Sequence, residues 1–419
     1  MSQPAPVTAG QRLETLDVLR GFALLGILAM NIRAMAGPFS AYMNPTVLFP
    51  YEGASRAAYM FTAIVFDLKM MGLFSMLFGA GVLLFAAKPS ESLRVVRSLW
   101  FRRMFWLLVI GLIHAYLIWD GDILVPYALC GLLLLWWVRR FSARTLFAMA
   151  AVWLVIGGGL GLGMGAMFDS MPPEERAEAM AMWAPTPEQV DAQVAALRGS
   201  YTDVVAHRAS FVVMGQTMYF LLFFFWRVGG MMMLGMALLK AGFLDGRLAA
   251  SRYALVAAVC TPLGLGLAAM GFNAIELVNF SMPERSAPDL WNYFGSVIAS
   301  VGYAAAFIYA IKRGLLAGLR RRLAAVGQMA FSNYLTHSIL TSIIFLGWGF
   351  NLVGRFDYAA QLLVVLAVWL FQLVVSPIWL QQFRFGPAEW VWRSLTYWKR
   401  QPMRKTAEVT EPTAVPGAV

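Results

Sequence analysis

Charge is what this chain is short of. Asp, Glu, Lys and Arg make up 13% of its 419 residues while hydrophobic residues reach 60%, a ratio that no water-soluble domain keeps in solution. Cysteine is scarcer still, at two residues. Cys130 and Cys260 both sit inside apolar runs, which excludes a disulfide framework. The three histidines, His114, His207 and His337, are scattered with no ligand pair at close helical spacing, so no metal is expected. P-loop, dinucleotide fingerprint and G-x-S-x-G elbow are all missing. No cleavable signal peptide is expected, because the polar start leads directly into a full-length span.

What remains is an all-α, polytopic membrane bundle. Ten apolar spans are expected at 16–36, 57–86, 101–119, 122–138, 145–168, 210–239, 253–272, 290–311, 323–347 and 359–380. The net charge of +11 is a topology signal and points to no nucleic acid. Most Lys and Arg residues fall in 87–103, 139–144, 240–252, 312–322 and the stretch from Arg384 to Lys405, every second loop, which places both termini in the cytoplasm. The chain then divides into a bundle over 1–383 with an extracytoplasmic insertion at 169–209, an amphipathic inner-surface helix over 384–402, and a disordered tail over 403–419. In the insertion, Thr186-Pro187-Glu188 has the form of an N-cap opening a short surface helix to Leu197.

Two spans are over-long, since about 20 residues suffice to cross the hydrocarbon core. Both 57–86 and 210–239 are expected to tilt, extend or break, with Gly72 and Gly229-Gly230 as break points.

Ionisable groups at membrane depth are costly and so mark candidate sites. His114 lies about 21 Å along its helix from Trp100, just before the turn Trp119-Asp120-Gly121-Asp122. A carboxylate orienting it, Asp120 or Asp122, would make it a general base. Asp122 also stands where a helix N-cap belongs, and Asp120 suits a tight turn. Asp17 and Arg20 are spaced to pair on one helical face, which Asn31 shares; Arg20 could instead face a ligand phosphate. Asp67 and Lys69, two apart, point to different faces, and each needs another partner. Arg227, too deep to snorkel, should meet Asp67 or a ligand anion. Asn333, His337 and Thr341 form a polar stripe that must face protein or water.

The segments LDVLRGFALLGILAMN, FDLKMMGLFSMLFGAG, GLIHAYLIWDGDILVPYALCGLLLL, SNYLTHSIL and FGPAEWVWRSLTYWK together resemble the YeiB-like family of bacterial inner-membrane proteins. That family resembles, distantly, the transmembrane acyltransferases: the sugar O-acyltransferases and the heparan-α-glucosaminide N-acetyltransferases. The resemblance implies acyl-CoA as co-substrate on the cytoplasmic side and a small-molecule or glycan acceptor outside. Where the O-acyltransferases end their first span with a histidine this chain has Asn31, and residues 37–56 contain none, so the base would be His114. The competing expectation is a transporter or flippase in which Asp67, Lys69, Arg227 and His114 form a substrate or proton path. Membrane lipids are the expected surroundings, and a homo-oligomer is left open.

Overall fold

The computed structural model describes residues 14–87 and 92–405. Among these residues the only β pairing is one isolated antiparallel bridge, Phe383 with Arg404; all other regular structure is helical. In chain order the helices are α1 (Glu14–Met35), α2 (Phe39–Met43), α3 (Gly53–Val65), α4 (Lys69–Ala86), α5 (Leu93–Leu117), α6 (Leu124–Cys130), α7 (Trp136–Val138), α8 (Ala143–Asp169), α9 (Pro173–Trp183), α10 (Pro187–Leu197), α11 (Tyr201–Met214), α12 (Phe225–Lys240), α13 (Ala250–Leu277), α14 (Met282–Lys312), α15 (Ala317–Gln328), α16 (Ala330–Phe345), α17 (Tyr358–Gln382) and α18 (Pro387–Tyr397). Among the described residues seven helical stretches are long and apolar enough to cross a membrane, and the chain is a multi-pass membrane protein. The three other expected spans are also helical. α5 enters through an arginine-rich first half, the 15 residues of Leu124–Val138 include a π turn at Gly131–Leu135, and α15 meets α16 at Met329.

α1 is the axis of the bundle. Leu19, Leu24 and Leu28 on it are fully buried. It crosses α15 so closely that a methyl group at Gly21 would fall 2.0 Å from the Leu323 carbonyl oxygen, and one at Gly327 would fall 1.9 Å from that of Asp17. Small residues let backbones approach where lipid supplies no hydrophobic drive. α13 and α17 form the rim, turning Leu255, Leu263, Leu363 and Leu370 outward.

The over-long spans resolve differently from expectation. The 57–86 stretch breaks at Phe66–Leu68, with Leu68 at φ 57°, and not at Gly72, which packs against Met231 and Ser300. The broken turn is satisfied from α14: Tyr303 Oη donates to Val65 O at 2.9 Å and Ser300 Oγ to Lys69 O at 2.9 Å. Backbone freed inside a membrane needs such partners. The 210–239 stretch does not break at Gly229-Gly230. It belongs to one 40-residue helical run, Tyr201–Lys240, whose middle loosens into a π segment over Gly215–Phe224.

The two sets of loops gather at opposite ends of the bundle. At the basic end Lys240 Nζ reaches Arg139 O at 2.8 Å and Lys312 Nζ reaches Gly246 O at 2.9 Å. At the other end Gly347 N donates to Leu197 O, Gly354 N to Ala36 O and Trp183 Nε1 to Phe280 O. The 169–209 segment is helical nearly throughout, and Thr186 caps α10 reciprocally with Gln189. Of the expected tail, 403–405 pair back onto 382–384 through Arg384 N to Met403 O and Lys405 N to Gln382 O. Residues 406–419, like the polar start over 1–13, lie outside the described residues.

Candidate functional site

The turn after α5 folds back on its own helix. Asp122 Oδ2 accepts from Val125 N at 2.7 Å, capping α6, while its Oδ1 lies 2.7 Å from His114 Nδ1. The two roles expected as alternatives for Asp122 are therefore filled at once, one by each carboxylate oxygen. His114 Nε2 meets Ser338 Oγ of α16 at 2.9 Å. Asp122, His114 and Ser338 thus form a continuous polar relay, with the imidazole and the serine both fully buried. Tyr334 completes the wall: its ring lies 5.1 Å from that of His114, and its hydroxyl accepts from Ile123 N at 3.3 Å. Beside the relay lies a cavity of about 240 Å3, lined among others by Ala115, Trp119, Arg208, Ile339 and Ser342.

Asp120 does not join the relay. It pairs with Arg208 at 3.1 Å, tying the turn to α11 on the cavity wall. Gly121 between the two aspartates is pressed against the Trp119 indole, 2.3 Å from where a methyl group would lie. His337 does not join either. With Asn333 it faces α17, where its Nε2 meets Gln372 Oε1 at 2.8 Å while Asn333 Nδ2 donates to Ser376 Oγ at 3.0 Å.

The remaining expected residues lie elsewhere. Arg20 pairs with Asp17 at 2.8 Å near the start of α1, and Asn31 is half-buried further along the same helix. Asp67 and Lys69 do not pair with each other. Asn292 of α14 bridges them, accepting from Lys69 Nζ at 2.5 Å and donating to Asp67 Oδ2 at 3.0 Å. Arg227 is fully buried, yet among the described residues it forms no ion pair with Asp67 or any other carboxylate. Its guanidinium donates to Tyr293 O at 2.9 Å and Ser296 Oγ at 2.6 Å and sits 4.7 Å from the Tyr293 ring centroid. That Asp67 and Lys69 do not neutralise each other agrees with their spacing; the helix break at Leu68 lets both meet one asparagine, where an unbroken helix would face them apart. Among the described residues no three His, Cys, Asp or Glu side chains are grouped to hold a metal ion.

The Escherichia coli K12 protein named "Uncharacterized protein YeiB" is 31% identical over 402 residues, covering 92% of this chain and 96% of its own. The chain belongs to the YeiB-like family. A second relative, "Uncharacterized protein YxaH" of Bacillus subtilis 168, is 31% identical over 422 residues, covering 98% of this chain and all of its own length. The family described as "Protein of unknown function (DUF418)" matches residues 238–399. That match takes in Ser338 and all of α16 to α18, whereas His114 and Asp122 lie before it.

Three groups in this YeiB-like chain escaped sequence reasoning. Ser338 adjoins His337 yet faces the other way, in a second stripe at helical spacing, Tyr334, Ser338 and Ser342, which turns toward α5. Arg33 lies buried over the Tyr59 ring at 4.2 Å and near that of Tyr42 at 5.0 Å. Glu389, in the surface helix α18, caps α16 from outside: its Oε1 accepts from Phe331 N at 2.7 Å and Ser332 N at 3.2 Å. Burial pushes the Glu389 carboxyl up from the ordinary carboxylate range, against the opposing pull of the Ser332 hydroxyl and these N–H groups.

Proposed function

We propose that this protein is a membrane-bound acyltransferase of the bacterial inner membrane, passing an acyl group from cytoplasmic acyl-CoA to an acceptor hydroxyl or amine on the far side. The observation that carries this reading is the relay, a buried imidazole fixed by Asp122 with Ser338 Oγ at its other nitrogen. Asp122 holds the tautomer and steadies the imidazolium as it forms; Nε2 is left to take a proton. Ser338 Oγ marks where a hydroxyl sits to surrender one. An acceptor entering from the adjoining cavity would donate its hydroxyl to Ser338 Oγ, which hands its own proton to Nε2 as it takes the acceptor's. As the acceptor oxygen attacks the thioester carbonyl, the C–O bond forms, the C–S bond breaks, and His114 returns the proton to the departing thiolate. The family resemblance to transmembrane acyltransferases supports the choice of acyl donor, and the acceptor class is a small molecule or glycan.

The test is acyl transfer from labelled acyl-CoA in proteoliposomes. His114→Ala is expected to leave the protein folded and to lower turnover at least about 100-fold, the lower end for a general base. Asp122→Asn keeps an N-cap and so the fold, and should lower turnover as well. Wild-type turnover in folded His114→Ala would remove the base and the reading with it.

A specific observation favours a second reading, transport. Arg33, Lys69 and Arg227 are all buried, and all lie within electrostatic reach of one carboxylate, Asp67. An excess of buried cations suits the passage of an anion. Anion flux across proteoliposomes without any acyl-CoA consumption would favour that reading over the first.

A further inference from the structure

The cavity beside the relay opens sideways. Its rim carries Leu117 of α5, Ile339 of α16, Tyr201 at the start of α11 and Trp348 just past α16, and all four are exposed, at 41–48%. Ile113, one turn before Leu117 on α5, is exposed as well. On a membrane bundle an exposed apolar face is turned to lipid, so the mouth lies against the bilayer. The Tyr201 and Trp348 rings meet edge to face at 6.0 Å, and Tyr201 Oη donates to Leu117 O at 2.7 Å. Tyrosine and tryptophan gather at the level of the lipid headgroups. The floor of the cavity is of another kind. Trp119, Arg208 and Ser342 line it and are buried. The Arg208 guanidinium lies 3.1 Å from Asp120 Oδ1 through Nε and donates from Nη1 to Ile118 O at 3.5 Å. Trp119 keeps its buried indole N–H without a partner among the described residues. Ser342, one turn beyond Ser338 on the stripe that faces α5, joins this floor to the relay.

We propose that this cavity admits the headgroup of an ethanolamine phospholipid from the outer leaflet, through the side of the bundle. A mouth that opens on lipid selects a ligand that is itself in lipid. The volume of about 240 Å3 holds a headgroup and not its two chains, which stay in the bilayer along Leu117 and Ile339. A lone cation would suit any anionic headgroup, but Arg208 stands beside Asp120, and the pair is electrically neutral. A zwitterion laid across it matches both signs. Its phosphate oxygens accept from the guanidinium and from the Trp119 N–H, and its ammonium donates to the Asp120 carboxylate. A choline headgroup has no N–H to give to Asp120, and a glycerol headgroup has no positive charge. Loop charge sets this end of the bundle outside. The binding rests on this geometry alone and holds whether or not the acyl-transfer reading does.

The experiment titrates lipids into the full-length protein in detergent and counts bound lipid by native mass spectrometry. Dioleoyl phosphatidylethanolamine, phosphatidylcholine and phosphatidylglycerol share their chains and differ only in headgroup; glycerophosphoethanolamine supplies the headgroup without chains. The ethanolamine lipid is expected to bind about ten-fold tighter than either of the others, the worth of one charge-assisted hydrogen bond. Glycerophosphoethanolamine at matched concentration should not displace it. Ile339→Trp fills the mouth from an exposed position, where a larger side chain leaves the core undisturbed, and should cancel the preference. Ile113→Trp, on the same face of α5 as Leu117 but outside the cavity, should not. Arg208→Gln should also weaken the ethanolamine lipid about ten-fold. Equal binding of the three lipids, displacement by the chainless headgroup, or a preference that Ile339→Trp leaves intact overturns the proposal. Acyl transfer is read separately: a preference without turnover keeps the site and removes the acyl-transfer reading, and turnover without the preference does the reverse.

Discussion

Arg227 is the residue whose energetics most separate structure from function. A buried cation with no carboxylate loses several kcal/mol of hydration, against which stand two hydrogen bonds and one ring contact. Removing it orphans little, since Ser296 Oγ donates to Tyr293 O at 2.9 Å with or without the guanidinium. Arg227→Met keeps much of the side-chain volume and removes the charge. It is therefore expected to unfold at or above the wild-type temperature in detergent while impairing substrate turnover or flux. A clear drop in Tm would show instead that the arginine is a strut, its bonds outweighing the cost of its burial. The sequence made Arg227 conspicuous by depth alone, but its partners are a backbone carbonyl and a serine hydroxyl, which leave no charge pattern to find. Ser338 was hidden in a similar way. A serine beside a histidine on one helix reads as the same polar stripe until the neighbouring helices show which way each faces.

At the scale of elements, α18 does more than lie on the membrane surface. Its composition made an amphipathic helix legible, and the Gly386-Pro387 break stands where expected, with α18 starting at Pro387. Its role as a cap was not legible, because Glu389 closes a helix 57 residues or more distant in the chain. Helix starts leave N–H groups unsatisfied, and α16 draws its acceptor from outside its own segment. The break at Leu68 was missed for a related reason: its freed carbonyls are met by Tyr303 and Ser300 of α14, so the turn is specified by tertiary contacts and not by a local glycine. Glu389 supplies a pH prediction. Its native carboxyl is raised, so the folded state holds the proton more tightly than the unfolded chain. Its contribution is then complete below the unfolded value, about 4.3, and is lost as pH rises through the folded value. Thermal unfolding as a function of pH should show this fall. Glu389→Gln, which keeps an acceptor for Phe331 N and Ser332 N, should flatten it, while Glu389→Ala should lower stability by about 1–3 kcal/mol at low pH, a deficit that narrows as pH rises. An unaltered pH profile in Glu389→Gln would assign the dependence to another group.

For the whole molecule, fold class and span positions were legible because lipid imposes two demands that sequence records directly: apolar length, and basic residues sorted to one face. Which helices are central was not. α1 and α13 are both apolar and both cross a neighbour closely at glycines, Gly21 with α15 and Gly264 and Gly271 with α14, yet α1 is the buried axis and α13 the rim, because α1 is surrounded by α4, α15, α16 and α17 while α13 packs chiefly on α14 and α3. The gathering of alternate loops at opposite ends makes the topology testable with two cysteines. In a Cys260→Ala background, with Cys130 buried, Ala177→Cys places an exposed thiol on α9 and Ala317→Cys places one at the start of α15. An impermeant maleimide should label Ala177→Cys in intact spheroplasts, and Ala317→Cys only after the membrane is opened. The reverse pattern would invert the bundle. It would turn the cavity beside His114 toward the cytoplasm, so that acceptor and donor would have to exchange sides. Labelling of both thiols in intact spheroplasts would mean that the segments before α9 and α15 differ by an even number of crossings. The relay would then keep its geometry, but the transmembrane direction of acyl transfer would be lost.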